Sequence, residues 1–183
     1  MSTAVRLLRL LEPVADAADV ATGAVSQPAR RQRGSLHETA HRPLPMPRRG
    51  PWVMGQTWID LLFAHWPVPA ERLREVVPSE LELDLFEGSG WISVTPFEVI
   101  GTRARGMPPP PGLSRFPELN VRTYVTVGDR AGIWFFSLDA ARASADAAAR
   151  VLYRHPYFRA EMAIERRGAW IAYTSRRVDP RGA

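Results

Sequence analysis

Lysine is absent from this 183-residue chain, whose 24 basic residues are all arginine. A guanidinium stays protonated and offers no free amine, so the chain cannot work through a lysine Schiff base with a carbonyl substrate. Cysteine is absent too, which removes disulfides, thiolate nucleophiles and thiolate metal ligands and is compatible with a reducing compartment. No apolar run approaches the ~20 residues of a membrane helix. The apolar run at residues 5–11 is broken by Arg6 and Arg9 and followed by Glu12, Asp16 and Asp19, unlike the continuous stretch of a signal peptide. A cytoplasmic protein with no membrane partner is expected.

The net charge of +5 and the pI near 10.6 suggest nucleic acid until the charge is located. Residues 1–50 carry eight arginines against four acids, and residues 51–183 carry sixteen against fifteen. The basic excess thus belongs to the N-terminal stretch. A nucleic-acid domain concentrates charge on its folded surface, so no nucleic-acid partner is expected.

The texture of the chain changes near Pro51. Before it, an Ala/Val/Leu-rich stretch interrupted by Pro13 gives way at Gln27 to an Arg/Pro/Gly/Ser-rich stretch with the composition of a disordered linker. Residues 1–50 are therefore expected to be a low-complexity, disordered extension, and residues 51–183 a domain. Within that domain, residues 56–66 read as a central strand with two apolar faces. Residues 69–77 read as a short helix that starts at a proline and stops at Pro78. Residues 81–86 and 91–100 read as a hairpin about Glu87–Gly90. Four consecutive prolines, Pro108 to Pro111, exclude a central strand and mark a crossing loop or lid. A second hairpin joins residues 118–127 to 133–139, an alanine-rich helix spans 140–153, and a last hairpin joins 159–166 to 169–177. Many strands, two short helices and no βαβ rhythm predict an α+β fold, mainly antiparallel β, closed as a barrel or cupped sheet.

The strand at 118–127 alternates cleanly. Glu118, Asn120, Arg122 and Tyr124 share one face, offering a carboxylate, an amide, a guanidinium and a phenol in one line. Pointed into a barrel, they form a ligand-binding set in which Arg122 anchors a carboxylate or phosphate. The plainer alternative is a half-exposed strand whose polar face meets water. His65 beside Trp66 is either a general base or a satisfied core histidine, and His155 is a candidate that reads equally as a cation at a helix end. His37 and His41 have helical ligand spacing but no third ligand nearby, so no metal site is expected. Asp139 reads as a helix N-cap, and Trp58, Trp66, Trp91, Trp134 and Trp170 as core or pocket wall. No nucleophile elbow, phosphate loop or dinucleotide fingerprint appears, and no cofactor is expected.

Five segments in this order, LLFAHWPVP, LELDLFEGSGWISVTPFEV, FPELNVRTYV, GIWFFSLDA and HPYFRAEM, resemble the YqjF-like family of uncharacterised bacterial proteins. The resemblance covers about residues 51–177. It implies the β-barrel or cone of the acetoacetate-decarboxylase-like superfamily, with a ligand cavity lined by the 118–124 face. The lysine amine used by the superfamily's decarboxylases has no counterpart here, so the cavity carries over and the Schiff-base mechanism does not. Members of the family continue for several strands beyond the segment matched by YTSRR, so the domain is expected to be incomplete at its C-terminus, with exposed strand edges suited to homo-oligomers. The leading expectation is binding of a small anionic molecule. The alternatives are an enzyme of unknown reaction using Glu118 and Arg122, and a fragment without independent activity.

Overall fold

The computed structural model describes residues 11–38, 40, 52–112, 114–141 and 156–179. The chain divides into two compact units, residues 1–58 with 99–115 and residues 59–98 with 116–183.

In the first unit, helices α1 (Glu12–Val25) and α2 (Gln27–Ser35) meet at Ser26. Pro13 sits in the first turn of α1, where its missing N–H is no loss, so the proline expected to interrupt a helix instead starts one. Ser26 ends α1 by donating its N–H to Thr22 O and begins α2, its Oγ accepting from Ala29 N. A helix at Gln27–Ser35 replaces the linker expected from composition. Strand β1 (Met54–Ile59) pairs with β4 (Gly90–Ala104), and Arg105 N donates to Val53 O just past their ends. The helices are fastened to this strand by Arg103, whose side chain is fully buried. Its Nη1 donates to Asp19 Oδ1 at 2.5 Å and its Nε to Gln32 Oε1 at 2.7 Å. Asp19 also pairs with Arg33 at 3.5 Å and accepts from Gly106 N, so the buried ions are multiply partnered. Gly106, at φ +77°, lies so close to α1 that a Cβ there would be 3.0 Å from the Ala18 Cβ.

In the second unit the strands are β2 (Ala64–Val68), β3 (Glu82–Leu83), β5 (Arg115–Val127), β6 (Arg130–Ala140), β7 (Tyr157–Arg167) and β8 (Trp170–Arg177), with the first part of β4. Pairing runs β4-β5-β6-β7-β8, with β2 along β4 and β3 along the end of β5. The expected hairpins β5–β6 and β7–β8 are present, with Gly128 and Gly168 supplying φ +60° at their turns. Helix α3 (Ala70–Arg74) ends earlier than the expected 69–77. Leu73 buries its side chain against Gly90, and Arg74 donates to Leu81 O, Val77 O and Pro78 O to cap the following turn.

Four expectations are corrected. Residues 56–66 are not one central strand: Asp60, at φ 52°, separates β1 from β2, and Leu62, Phe63 and Trp66 are exposed. The 81–86 segment does not pair along 91–100. It makes a single bridge, Phe86 to Ser89, and gives β3 to β5. Strands β6 and β7 are parallel, which the long segment between Ala140 and Tyr157 permits because a parallel pair needs a dozen or more connecting residues. Asp139, expected as a helix cap, lies within β6 and pairs with Arg177, whose Nε donates to it at 3.0 Å. The helix expected at 140–153, and His41 and His155, lie outside the described residues.

The class is α+β and mainly antiparallel, as expected, with three helices among the described residues. The sheet is open there, because β8 pairs with β7 alone. Side chains of β7 and β8 also reach Asp60 and Glu98 within the second unit. Arg166 on β7 holds Glu98 at 2.7 Å and Asp60, and Tyr173 on β8 donates its hydroxyl to Asp60 O. These carboxylates raise the Arg166 pKa. No helix among the described residues is long and apolar enough to cross a membrane.

Candidate functional site

Strand β5 positions the site. The bulge beside Val121/Arg122 places the extra residue, Phe136, on β6, so β5 keeps its own two-residue period, while burial shifts there, Arg122 and Thr123 both being buried. Glu118, Asn120, Arg122 and Tyr124 therefore share one face, and the first three are buried, with Asn120 2% and Arg122 6% exposed. The polar face of this strand points inward, against the plainer alternative that it meets water.

Each residue sits differently. Glu118 accepts from the Tyr157 hydroxyl, 3.4 Å from both carboxylate oxygens. Asn120 Oδ1 and Arg122 Nε are buried with no hydrogen-bond partner among the described residues. Arg122 forms no ion pair among the described residues; its guanidinium lies 5.2 Å from the centre of the Phe63 ring. Tyr124 is half-buried and its hydroxyl is 2.6 Å from His65 Nε2.

That last contact opens onto a cavity of about 400 Å³ lined by His65, Asp84, Leu85, Phe86, Trp91 and Tyr124. His65 is exposed, not a core residue. It stands opposite Ser93 in the β2–β4 register, so it shares a face with the fully buried Ser93 and Thr95, whose hydroxyls are 2.9 Å apart. The rings of His65 and Tyr124 lie 5.8 Å apart at 17°, and Phe63 stacks beyond His65 at 6.2 Å. Phe86 and Trp91 meet edge to face at 6.3 Å, with the Trp91 indole donating to Phe86 O. Asp84 is fixed by its N–H, which donates to Tyr124 O at 3.1 Å.

Of the four residues singled out in the sequence, only Tyr124 lines the cavity; Arg122, Asn120 and Glu118 follow it along the same strand face. Sequence reasoning missed Asp84, Leu85 and Phe86 because it read 81–86 as a strand pairing along 91–100, whereas these residues sit in the irregular stretch between β3 and β4. Trp91 is pocket wall as expected, whereas Trp58, Trp66 and Trp170 are exposed. No group of side chains suited to a metal ion occurs among the described residues.

This mainly antiparallel sheet is similar in fold to that in the crystal structure of acetoacetate decarboxylase from Legionella pneumophila. The TM-score is 0.53 at 14% identity, covering 73% of this chain and 50% of that one. An acetoacetate decarboxylase-like enzyme from Sphingomonas wittichii gives a TM-score of 0.51 at 15% identity, covering 71% and 51%. Both likenesses concern the fold alone. The chain belongs to the DUF2071 family of uncharacterized conserved proteins, whose pattern matches residues 55–183. The uncharacterized protein YqjF of Bacillus subtilis is 51% identical over 134 residues, 73% of this chain and 55% of that protein. The resemblance read from the five segments is borne out, and the chain spans about half the length of this relative.

Proposed function

We propose that the protein binds a small anionic molecule through the inward face of β5, with Arg122 as anchor and Asn120, Glu118 and Tyr124 beside it. The observation that carries this reading is Arg122, 6% exposed, whose Nε is buried without a hydrogen-bond partner and which forms no ion pair among the described residues, the Phe63 ring being its neighbour. A buried charge without a partner costs several kcal/mol, and an anionic ligand offsets that cost when it binds. The unpaired Asn120 Oδ1 adds an acceptor for a donor on the same ligand. Schiff-base chemistry forms no part of this proposal, since the chain offers no amine side chain. The same reading sets the protein in the cytoplasm, which cell fractionation tests.

The test is a titration of the full chain with acetate, phosphate and a neutral amide, followed at the Arg122 Nε–H resonance. Saturable shifts with an anion and none with the amide support the reading. Equal indifference to all of them defeats it.

A second reading is favoured by β8, which carries Trp170 at 81% and Ile171 at 38% exposure and has one backbone neighbour among the described residues. Such an edge takes up a second copy of the chain. Sedimentation of Trp170→Lys against the natural chain tests it: association that depends on concentration should be lost in the variant.

A further inference from the structure

We infer that the ligand of this site is a small zwitterion, with its ammonium end held in the cavity between Phe86, Trp91, Tyr124 and Asp84 and its carboxylate end on Arg122. This rests on the anion reading of Arg122 and extends it to the class of molecule.

The cavity has the composition of a cation site. Phe86, Trp91 and Tyr124 present aromatic rings to it, and the negative face of an aromatic ring attracts an ammonium ion, most strongly for tryptophan. The box is held in shape from within: the Trp91 indole donates to Phe86 O at 3.4 Å, and the Tyr124 hydroxyl is engaged by His65. Asp84 is the one carboxylate in the lining, and it forms no ion pair or side-chain hydrogen bond among the described residues. With one carboxylate and three aromatic rings in its lining, the site suits a methylated ammonium better than a primary amine seeking three acceptors.

The neighbouring charge decides the class. Asp84 lies beside Tyr124, bound to its carbonyl, and Arg122 is two residues further along the same face, about 7 Å away by strand rise. A simple anion on Arg122 leaves the exposed Asp84 carboxylate of the lining without a counter-charge, and a simple cation at Asp84 leaves Arg122 without one. A molecule with both charges a few ångströms apart pairs both. The cavity of about 400 Å³ sits toward the small end of ligand sites, as such a molecule requires.

The test uses the full chain and three probes: glycine betaine, tetramethylammonium and acetate. Binding is read at the Trp91 indole N–H and the Arg122 Nε–H. Betaine should bind about tenfold more tightly than either half, because it joins two contacts in one molecule. Asp84→Asn, an exposed substitution, should abolish the tetramethylammonium response and remove the advantage of betaine over acetate. If acetate binds through Arg122 but betaine is no tighter, or Asp84→Asn leaves betaine unaffected, the zwitterion is wrong and the anion reading survives. Silence from all three probes overturns both.

Discussion

The Tyr124 hydroxyl and His65 Nε2 lie 2.6 Å apart, joining β5 to β2 across the intervening strand β4. This contact fixes two walls of the cavity in one hydrogen bond. Tyr124→Phe keeps the ring and loses the bond. It should lower stability by about 1 kcal/mol, the usual net value of one such bond, as measured by urea unfolding. A loss of several kcal/mol would mean that the pair holds up the fold and does not merely shape the cavity.

In the first unit, Asp19 neutralises the fully buried Arg103. Removing it by Asp19→Ala strands the guanidinium. It should cost about 3–5 kcal/mol, whereas Arg105, whose partners Asp16 and Glu12 are more exposed, should lose only about 1 kcal/mol when Asp16→Ala is made. Equal effects in equilibrium unfolding would contradict the assignment of Arg103–Asp19 as the fastening of the helices.

Gly90 opens β4 against α3, and a Cβ there would stand 2.3 Å from Leu73 Cδ1. Gly90→Ala must displace a side chain that is 2% exposed, so it should destabilise by about 1–3 kcal/mol. Adding Leu73→Val should recover part of that loss if the clash is the cause, a comparison that calorimetry of the two variants settles.

Burial, and then the Asp60 carboxylate, hold the Tyr173 phenol above its ordinary pKa, with Arg166 opposing. The folded state therefore keeps the phenolic proton at pH values where the unfolded chain has released it. The contribution is fully present below the unfolded pKa near 10 and is lost as pH rises from there through the folded value. Unfolding measured from pH 8 to 11 should show stability falling with pH less steeply in Tyr173→Phe than in the natural chain. Parallel curves would remove Tyr173 from the account.

Legibility in the sequence followed local pattern. The β5 and β7–β8 hairpin residues alternate with glycine at their turns, and these strands emerge close to where the alternation puts them. The face holding Glu118, Asn120, Arg122 and Tyr124 was readable because period-two alternation survives a bulge borne by the partner strand. Whether that face turned inward was not, since alternation labels two faces and burial depends on which other strands cover them. The apolar run at 56–66 misled for the opposite reason: the backbone at Asp60 takes a positive φ that nothing in the hydrophobic pattern records. Helix α2 was hidden by its arginine-rich composition, which resembles a linker until Ser26 caps it and α1 packs beside it. Asp84 and Phe86 join the site only through β3, two residues long and set by pairing with β5.

The central claim, that Arg122 keeps its buried charge for a ligand, is tested most directly by the unfolding free energy of Arg122→Met without ligand. A buried ion replaced by an apolar side chain of similar length is commonly neutral or stabilising by about 1–4 kcal/mol. The variant should therefore be at least as stable as the natural chain while losing the stabilisation that an added anion gives. A variant destabilised by about 3–5 kcal/mol would show that the guanidinium serves the fold itself, and the anion site would fall.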